Sequence, residues 1–207
     1  LFYILDATSG VTELSPQIIA PNTNPGNKRW IRQDSSGWLI DIRIFLPVGY
    51  VSDGSVDYST QFLAANAFAK ASLKPLFFPS GTWKINSGSL DVGFAGCTIM
   101  GNGSGLTTIN YNGTGYFIDG STPAGIIRGV KISGMTINCG ASALGAIKIG
   151  DPSEVYGGNK WYFGAIFEDL ELVGSAVSGS YGFNLTQLMR TKMENLPNII
   201  VPFKRPL

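Results

Sequence analysis

The chain has 207 residues with 15 Lys and Arg against 14 Asp and Glu, so its net charge is +1, and only 14% of residues are charged, against about 25% in ordinary soluble domains. With 44% hydrophobic residues and 27 glycines, it is neither a disordered chain, which is charge-rich and poor in apolar residues, nor a heptad-built coiled coil. No basic cluster exists to face phosphates, and no apolar run approaches the roughly 18 residues of a membrane-spanning helix, so neither a nucleic-acid partner nor membrane insertion is expected.

Residues 1–37 read as a small all-β segment. Tyr3–Leu5 and Gln17–Ala20 are short strand patterns, and the second is closed by Pro21. Asn22-Thr23-Asn24-Pro25-Gly26-Asn27 is a turn signal, because Pro fixes φ while Gly and Asn tolerate positive φ. Lys28–Arg32 alternates until Ser35-Ser36-Gly37 breaks it.

Residues 38–85 read as a leading strand, a capping helix and a first coil. Trp38, Ile40, Ile42, Ile44 and Leu46 form a period-2 apolar face and predict a strand. A loop, 49–56, leads to a helix over 59–72. Asp57 or Ser59 is its expected cap, Phe62, Ala65, Phe68, Ala69 and Ser72 its apolar face, and Pro75 its stop. Leu76-Phe77-Phe78 is a buried strand. Pro79-Ser80-Gly81 is a turn, with Thr82–Ile85 as a returning strand.

From 86 to 207 no helical pattern appears. Short apolar pairs alternate with Gly, Asn, Ser and Thr, and a degenerate repeat of apolar-x-Gly/Asp/Asn-apolar runs through them. Its copies start at Phe94, Ile132, Phe167 and, in part, Met193, at spacings of 38, 35 and 26 residues. Such periods belong to solenoids. In a parallel β-helix the apolar-x-apolar pair points into the tube, and the Gly, Asp or Asn turns a corner in left-handed conformation. Stacked coils then bury a continuous core that no single coil buries alone. On this reading Cys97/Ile99, Met135/Ile137 and Leu170/Leu172 share one interior column. Further strands are expected at 108–111, 116–118, 146–149 and 181–185. An antiparallel sandwich with frequent turns is the competing architecture.

Asp53-Gly54, Asp57, the Ala-rich helix, Leu76-Phe77-Phe78-Pro79-Ser80-Gly81-Thr82-Trp83, Ile99-Met100-Gly101-Asn102-Gly103 and Thr107-Thr108-Ile109 occur in this order. Over roughly 50–200 the chain thereby resembles the pectate-lyase-like right-handed parallel β-helices of bacteriophage tailspikes and capsule depolymerases. Asp57-Tyr58-Ser59-Thr60-Gln61 departs from that family's usual Asp-Asp-Thr-x-Ala. The resemblance implies an all-β fold: a right-handed parallel β-helix with an N-terminal capping α-helix and a small N-terminal β attachment segment at 1–37. It also implies a virion tail location, a homotrimer, contacts with other virion tail proteins, and a host cell-surface polysaccharide as partner. The ends of the chain, Leu1 without a signal-peptide pattern and Pro206-Leu207 without a finishing element, read as those of a fragment.

The chain has no histidine, which removes Ser-His-Asp triads, His-based general bases and most zinc sites. Cys97 and Cys139 read as small buried hydrophobes, and no cofactor or metal is expected. Gly101–Gly105 is not a dinucleotide loop, since no helix follows it; it reads as a solenoid corner. Asn102, Asn112 and Asn184 head sequons that matter only in a eukaryotic secretory setting.

Carboxylates are therefore the candidate catalytic groups, because glycoside hydrolysis takes two of them across the scissile bond. Glu171 lies between inward Leu170 and Leu172 and points out, while Glu168 and Asp169 sit at a corner. Asp151 and Glu154 precede Trp161 and Tyr162, whose rings are the candidate glycan-binding surfaces. For a β-elimination, Lys148, Lys160 and Arg190 qualify by type alone. Three readings stand side by side: a tail depolymerase, a non-catalytic tail component that attaches or recognises, and a cellular β-helix lyase or adhesin.

Overall fold

The computed structural model describes residues 2–6, 18–19, 29–33, 38–121, 125–150, 161–174, 181–186 and 188–196, the first three stretches by backbone alone. In the N-terminal segment β1 (Phe2–Asp6), β2 (Ile18–Ile19) and β3 (Arg29–Gln33) form an antiparallel sheet in the order β1-β3-β2.

After residue 38 every described strand pairing is parallel. The elements are β4 (Ile40–Asp41), a 3-10 turn (Ile42–Ile44), β5 (Asp53–Asp57), α1 (Ser59–Ser72), β6 (Leu76–Phe78), β7 (Gly81–Ile85), β8 (Leu90–Asp91), β9 (Thr98–Gly101), β10 (Thr107–Tyr111), β11 (Tyr116–Gly120), β12 (Ile127–Arg128), β13 (Lys131–Cys139), β14 (Gly145–Ile149), β15 (Tyr162–Phe163), β16 (Ile166–Val173), β17 (Tyr181–Leu185), β18 (Leu188–Met189) and β19 (Lys192–Glu194). They line three sheets. A large sheet holds β4–β7, β9, β10, β13, β16 and β19; a second runs β17-β14-β11-β8; a short one runs β12-β15-β18. Each full coil passes through all three in turn, so the chain is a parallel β-helix.

Interior columns run along the axis. Ile99, Ile132 and Phe167 are in register on β9, β13 and β16, and so are Trp83, Ile109, Ile137 and Leu172 on β7, β10, β13 and β16. Ile118, Ile147 and Phe183 stack in the second sheet. All are essentially fully buried. Burying stacked Leu, Ile and Phe side chains stabilises by roughly 1.5–3 kcal/mol each and offsets the conformational entropy of ordering the coils.

Two columns of left-handed residues turn the chain. Gly96, Gly129, Gly164 and Arg190 (φ 71°, 71°, 70° and 55°) separate the short sheet from the large one. Gly134, Asp169 and Asn195 (φ 71°, 50° and 46°) bend the large sheet within itself. The expected pairs Met135/Leu170 and Ile137/Leu172 stack as anticipated. Cys97 and Ile99 do not join them: Ile99 pairs with Ile132, placing the first copy of the repeat at the other corner. The coil interval from Ile99 to Ile132 is 33 residues, not 38.

Three local expectations are corrected. The alternation from Trp38 to Leu46 makes only a two-residue strand, because the Asp41 carboxylate accepts from the Arg43 N–H (2.9 Å) and clasps its guanidinium, folding the backbone into a 3-10 turn. β7 does not return along β6; it follows it round a corner, and each pairs with other coils. In α1, Phe68 is half exposed against Phe45, and Asn66 takes its expected place in the buried face.

The helix closes the mouth of the tube. Phe62 packs edge-on to Phe78 at 5.2 Å and to Trp83 at 5.9 Å. Its N-cap position is Tyr58, which supplies no side-chain cap. The Asp57 carboxylate instead accepts from the Ser59 N–H (3.0 Å) and hydroxyl (2.5 Å) and the Asn86 N–H (3.1 Å), tying the helix start to the turn after β7. The helix ends at Leu73 in left-handed conformation, two residues before Pro75.

Candidate functional site

β16 carries three of the candidate acids, and the corner at Asp169 divides them. Glu168 lies on the short-sheet side, in ion-pair contact with Lys131 at 2.7 Å. Asp169 reaches past Gly134 to the loop 102–105, accepting from the Ser104 N–H (3.0 Å) and hydroxyl (2.6 Å). Gly134 lets the loop come close, since a Cβ there would lie 2.7 Å from the Gly101 carbonyl oxygen and 3.2 Å from the Gly103 nitrogen, and its carbonyl oxygen accepts the Gly103 N–H at 2.8 Å. Glu171 accepts from the Thr136 hydroxyl (3.0 Å), whose oxygen takes the Gly105 N–H (2.9 Å). Asp169 and Glu171 thus hold the Gly-rich corner loop in place. Every described candidate acid is engaged by a structural partner. Asp151 and Glu154 lie outside the described residues.

Outward side chains of the large sheet form two polar rows in coil register. Thr82, Thr108, Thr136 and Glu171 make one, in which Thr136 is itself buried with its hydroxyl between Gly105 and Glu171; Lys84, Asn110 and Asn138, all partly exposed, make the next. Asn138 donates to Asn110 Oδ1 at 3.0 Å, and Asn112 donates to Asn86 Oδ1 at 3.1 Å, so amides bridge successive coils and leave others of their polar atoms outward.

The aromatic pair expected to meet sugar divides differently. Tyr162 points into the tube, fully buried, and its hydroxyl donates to the Gly120 carbonyl at 2.7 Å; burial pushes its phenol well above the ordinary range. Its ring is not on the outer surface. Trp161 is half-buried just before β15. The outward ring is Phe163, one residue on, with the Arg128 guanidinium 5.2 Å and the Arg190 guanidinium 5.6 Å from its centroid. Aligning Ile127-Arg128-Gly129 with Tyr162-Phe163-Gly164 would have revealed this, since the residue before each corner faces out.

The remaining chemistry is sparse. Burial pushes both the Cys97 and Cys139 thiols up to about 12, far from nucleophilic, and they do not pair. The narrow gap between α1 and the first coil, lined by groups such as Phe62, Leu63, Leu90 and Phe117, has no room for a water molecule and no titratable side chain. No helix among the described residues is long and apolar enough to cross a membrane.

No family model matches the chain, and no curated protein matches it in sequence. Solved structures do. The A-module of Azotobacter vinelandii mannuronan C-5 epimerase AlgE4 aligns over 75% of this chain and 50% of its own, with TM-score 0.55 and 18% identity. The AlgE6 A-module from the same organism aligns over 74% and 40%, with TM-score 0.52 and 17% identity. ORF18 of Geobacillus virus E2 aligns over 85% and 41%, at TM-score 0.49 and 16% identity. At these identities the epimerase modules speak to the fold alone, the parallel β-helix described above. The chain spans half or less of the length of each.

Proposed function

We propose that this chain is the glycan-recognising β-helix portion of a virion tail protein, a tailspike or tail fibre, acting as a homotrimer joined to other tail proteins and directed at a host cell-surface polysaccharide. The observation that carries the reading is the outward row Lys84, Asn110 and Asn138, with the partly exposed Thr82 and Thr108 beside it, repeating coil by coil along the axis. A strand spacing of about 4.8 Å presents polar groups at regular intervals to an extended, hydroxyl-rich polymer. The proteins sharing the fold include two epimerase modules whose names give mannuronan, a polysaccharide, as what they act on, which supports a polysaccharide partner. The phage setting rests on the motif resemblance.

Recognition is favoured over cleavage because Glu168, Asp169 and Glu171 are each committed to a structural partner. A depolymerase would draw its acids from Asp151 and Glu154 or from the rest of a longer chain. Two measurements decide: binding of the purified chain to capsular polysaccharides, and a zone-clearing assay on capsulated bacteria with the full-length protein. Binding without clearing is expected. Failure to bind any polysaccharide overturns the reading, and halos with new reducing ends convert it to the enzyme.

A further inference from the structure

The column of left-handed corner residues between the short and large sheets contains three glycines and then Arg190, at φ 55°. A non-glycine residue is disfavoured there, because Cβ approaches the following carbonyl, and such positions cluster where function holds them. Among the described residues Arg190 makes no ion pair from this position. Neither it nor Arg128 meets a carboxylate among the described residues; both guanidiniums instead lie by the outward ring of Phe163. Arg128, Phe163 and Met189 are in register on β12, β15 and β18, so the two cations bracket one aromatic ring on adjacent coils. Exposed Ile126 (51%) and Met189 (42%) extend the apolar strip beside them.

We propose that Arg128, Phe163 and Arg190 form a subsite for a carboxylate-bearing sugar of an acidic polysaccharide. Each guanidinium, held in place on the Phe163 ring, presents a planar fork of donors matched to a carboxylate, and exposed Ile126 and Met189 offer an apolar surface for the sugar's C–H face. Guanidiniums already resting on the ring keep most of their ordering cost out of the binding step. A nucleic acid is the poorer fit: a phosphate backbone is held by many cations at once, and here two stand on a chain of net charge +1.

This inference rests on the glycan reading above, and the test separates the two. The full chain, its Arg128→Gln/Arg190→Gly double variant and Phe163→Ala are run in affinity electrophoresis through polygalacturonate, hyaluronate, neutral pullulan and, in solution, a poly-dT oligonucleotide. The wild type is expected to be retarded by the uronate polymers and hardly by pullulan, with retardation fading as salt rises. The double variant is expected to lose at least about tenfold in affinity, a change of about 1.4 kcal/mol. The melting temperature of Arg190→Gly alone should be no lower than wild type, since glycine fills the other three positions of the column, so lost binding is not lost fold. Equal binding by the double variant overturns the subsite, as does absence of uronate binding. Pullulan binding that ignores the arginines overturns the subsite while leaving glycan recognition standing; no binding to any polymer removes both. Tighter poly-dT than uronate binding through the same arginines assigns the site to nucleic acid instead.

Discussion

The two left-handed corner columns turn the same chain through similar backbone angles, yet they are built differently. At the Gly134–Asp169–Asn195 corner the acids bend inward upon the protein: Asp169 and Glu171 grip the loop 102–105 through Ser104 and Thr136. At the Gly96–Gly129–Gly164–Arg190 corner no carboxylate among the described residues grips a neighbouring loop, and the flanking arginines stay on a half-buried outward ring. A corner can be a joint that stabilises the stack or a ledge that leaves side chains outside, and the surroundings of its glycines decide which.

The sharpest way to break this contrast is to add one methyl group to each corner. Gly129 and Gly134 share φ +71°. A Cβ at Gly129 would find its nearest atom, the Gly96 Cα, 4.0 Å away, whereas one at Gly134 would lie 2.7 Å from the Gly101 carbonyl oxygen and 3.2 Å from the Gly103 nitrogen. Gly129→Ala is expected to cost about 1–2 kcal/mol, the left-handed penalty alone. At Gly134 the contacts are backbone that no rotamer change relieves, and overpacking adds about 1–3 kcal/mol to that penalty. Denaturant unfolding of the two variants checks the order, and equal losses would dissolve the distinction between joint and ledge.

A smaller effect probes the grip itself. Asp169→Ala removes two accepted hydrogen bonds at about 1 kcal/mol each and leaves alanine in a left-handed position, so a loss of about 2–4 kcal/mol is expected. Asp169→Gly frees the backbone and should recover the conformational share but not the bonds. Amide exchange at Ser104 should quicken in both, and unchanged exchange would show that the carboxylate does not hold the loop.

Why the sequence displayed one corner and blurred the other follows from the same physics. Ile132–Ile137 and Phe167–Leu172 each place an inward residue, a left-handed one and an inward pair on a strand of eight or nine residues, long enough for alternation to speak. Gly96-Cys97-Thr98-Ile99 satisfies the same local grammar, yet it belongs to the other corner; only the 33-residue interval to Ile132 betrays it. The whole short sheet was invisible, because β12, β15 and β18 are two residues each and two residues carry no period. That is also why Tyr162, whose ring is buried, looks outward from the sequence while Phe163, one residue on, is the ring that faces out. The phase of each of these two-residue strands is set by the left-handed residue after it, Gly129, Gly164 or Arg190. The engagement of Glu168, Asp169 and Glu171 was beyond any local pattern, since Ser104 lies 65 residues from Asp169 and they meet only when coils stack.

The smallest expected effect is a dependence on pH that should divide the molecule along the same line. The Asp57 carboxylate is opposed by burial, but hydrogen bonds from Ser59 and Asn86 outweigh it and hold its pKa below the ordinary carboxylate value. A group depressed in the folded state contributes stability that is present above its unfolded pKa and lost as pH falls through its folded one. Acidification should therefore loosen the start of α1 and the Asn86 turn first. The short sheet, whose strands carry no carboxylate, should keep its amides protected. Hydrogen exchange followed from neutral to acid pH should show Ser59 and Asn86 opening before Ile127 and Gly164. Asp57→Asn should be less stable at neutral pH and flatter in its acid response, because the carboxamide oxygen accepts the same bonds without a proton to gain. An acid profile unchanged by that substitution would mean that the Asp57 carboxylate does not clamp the start of α1.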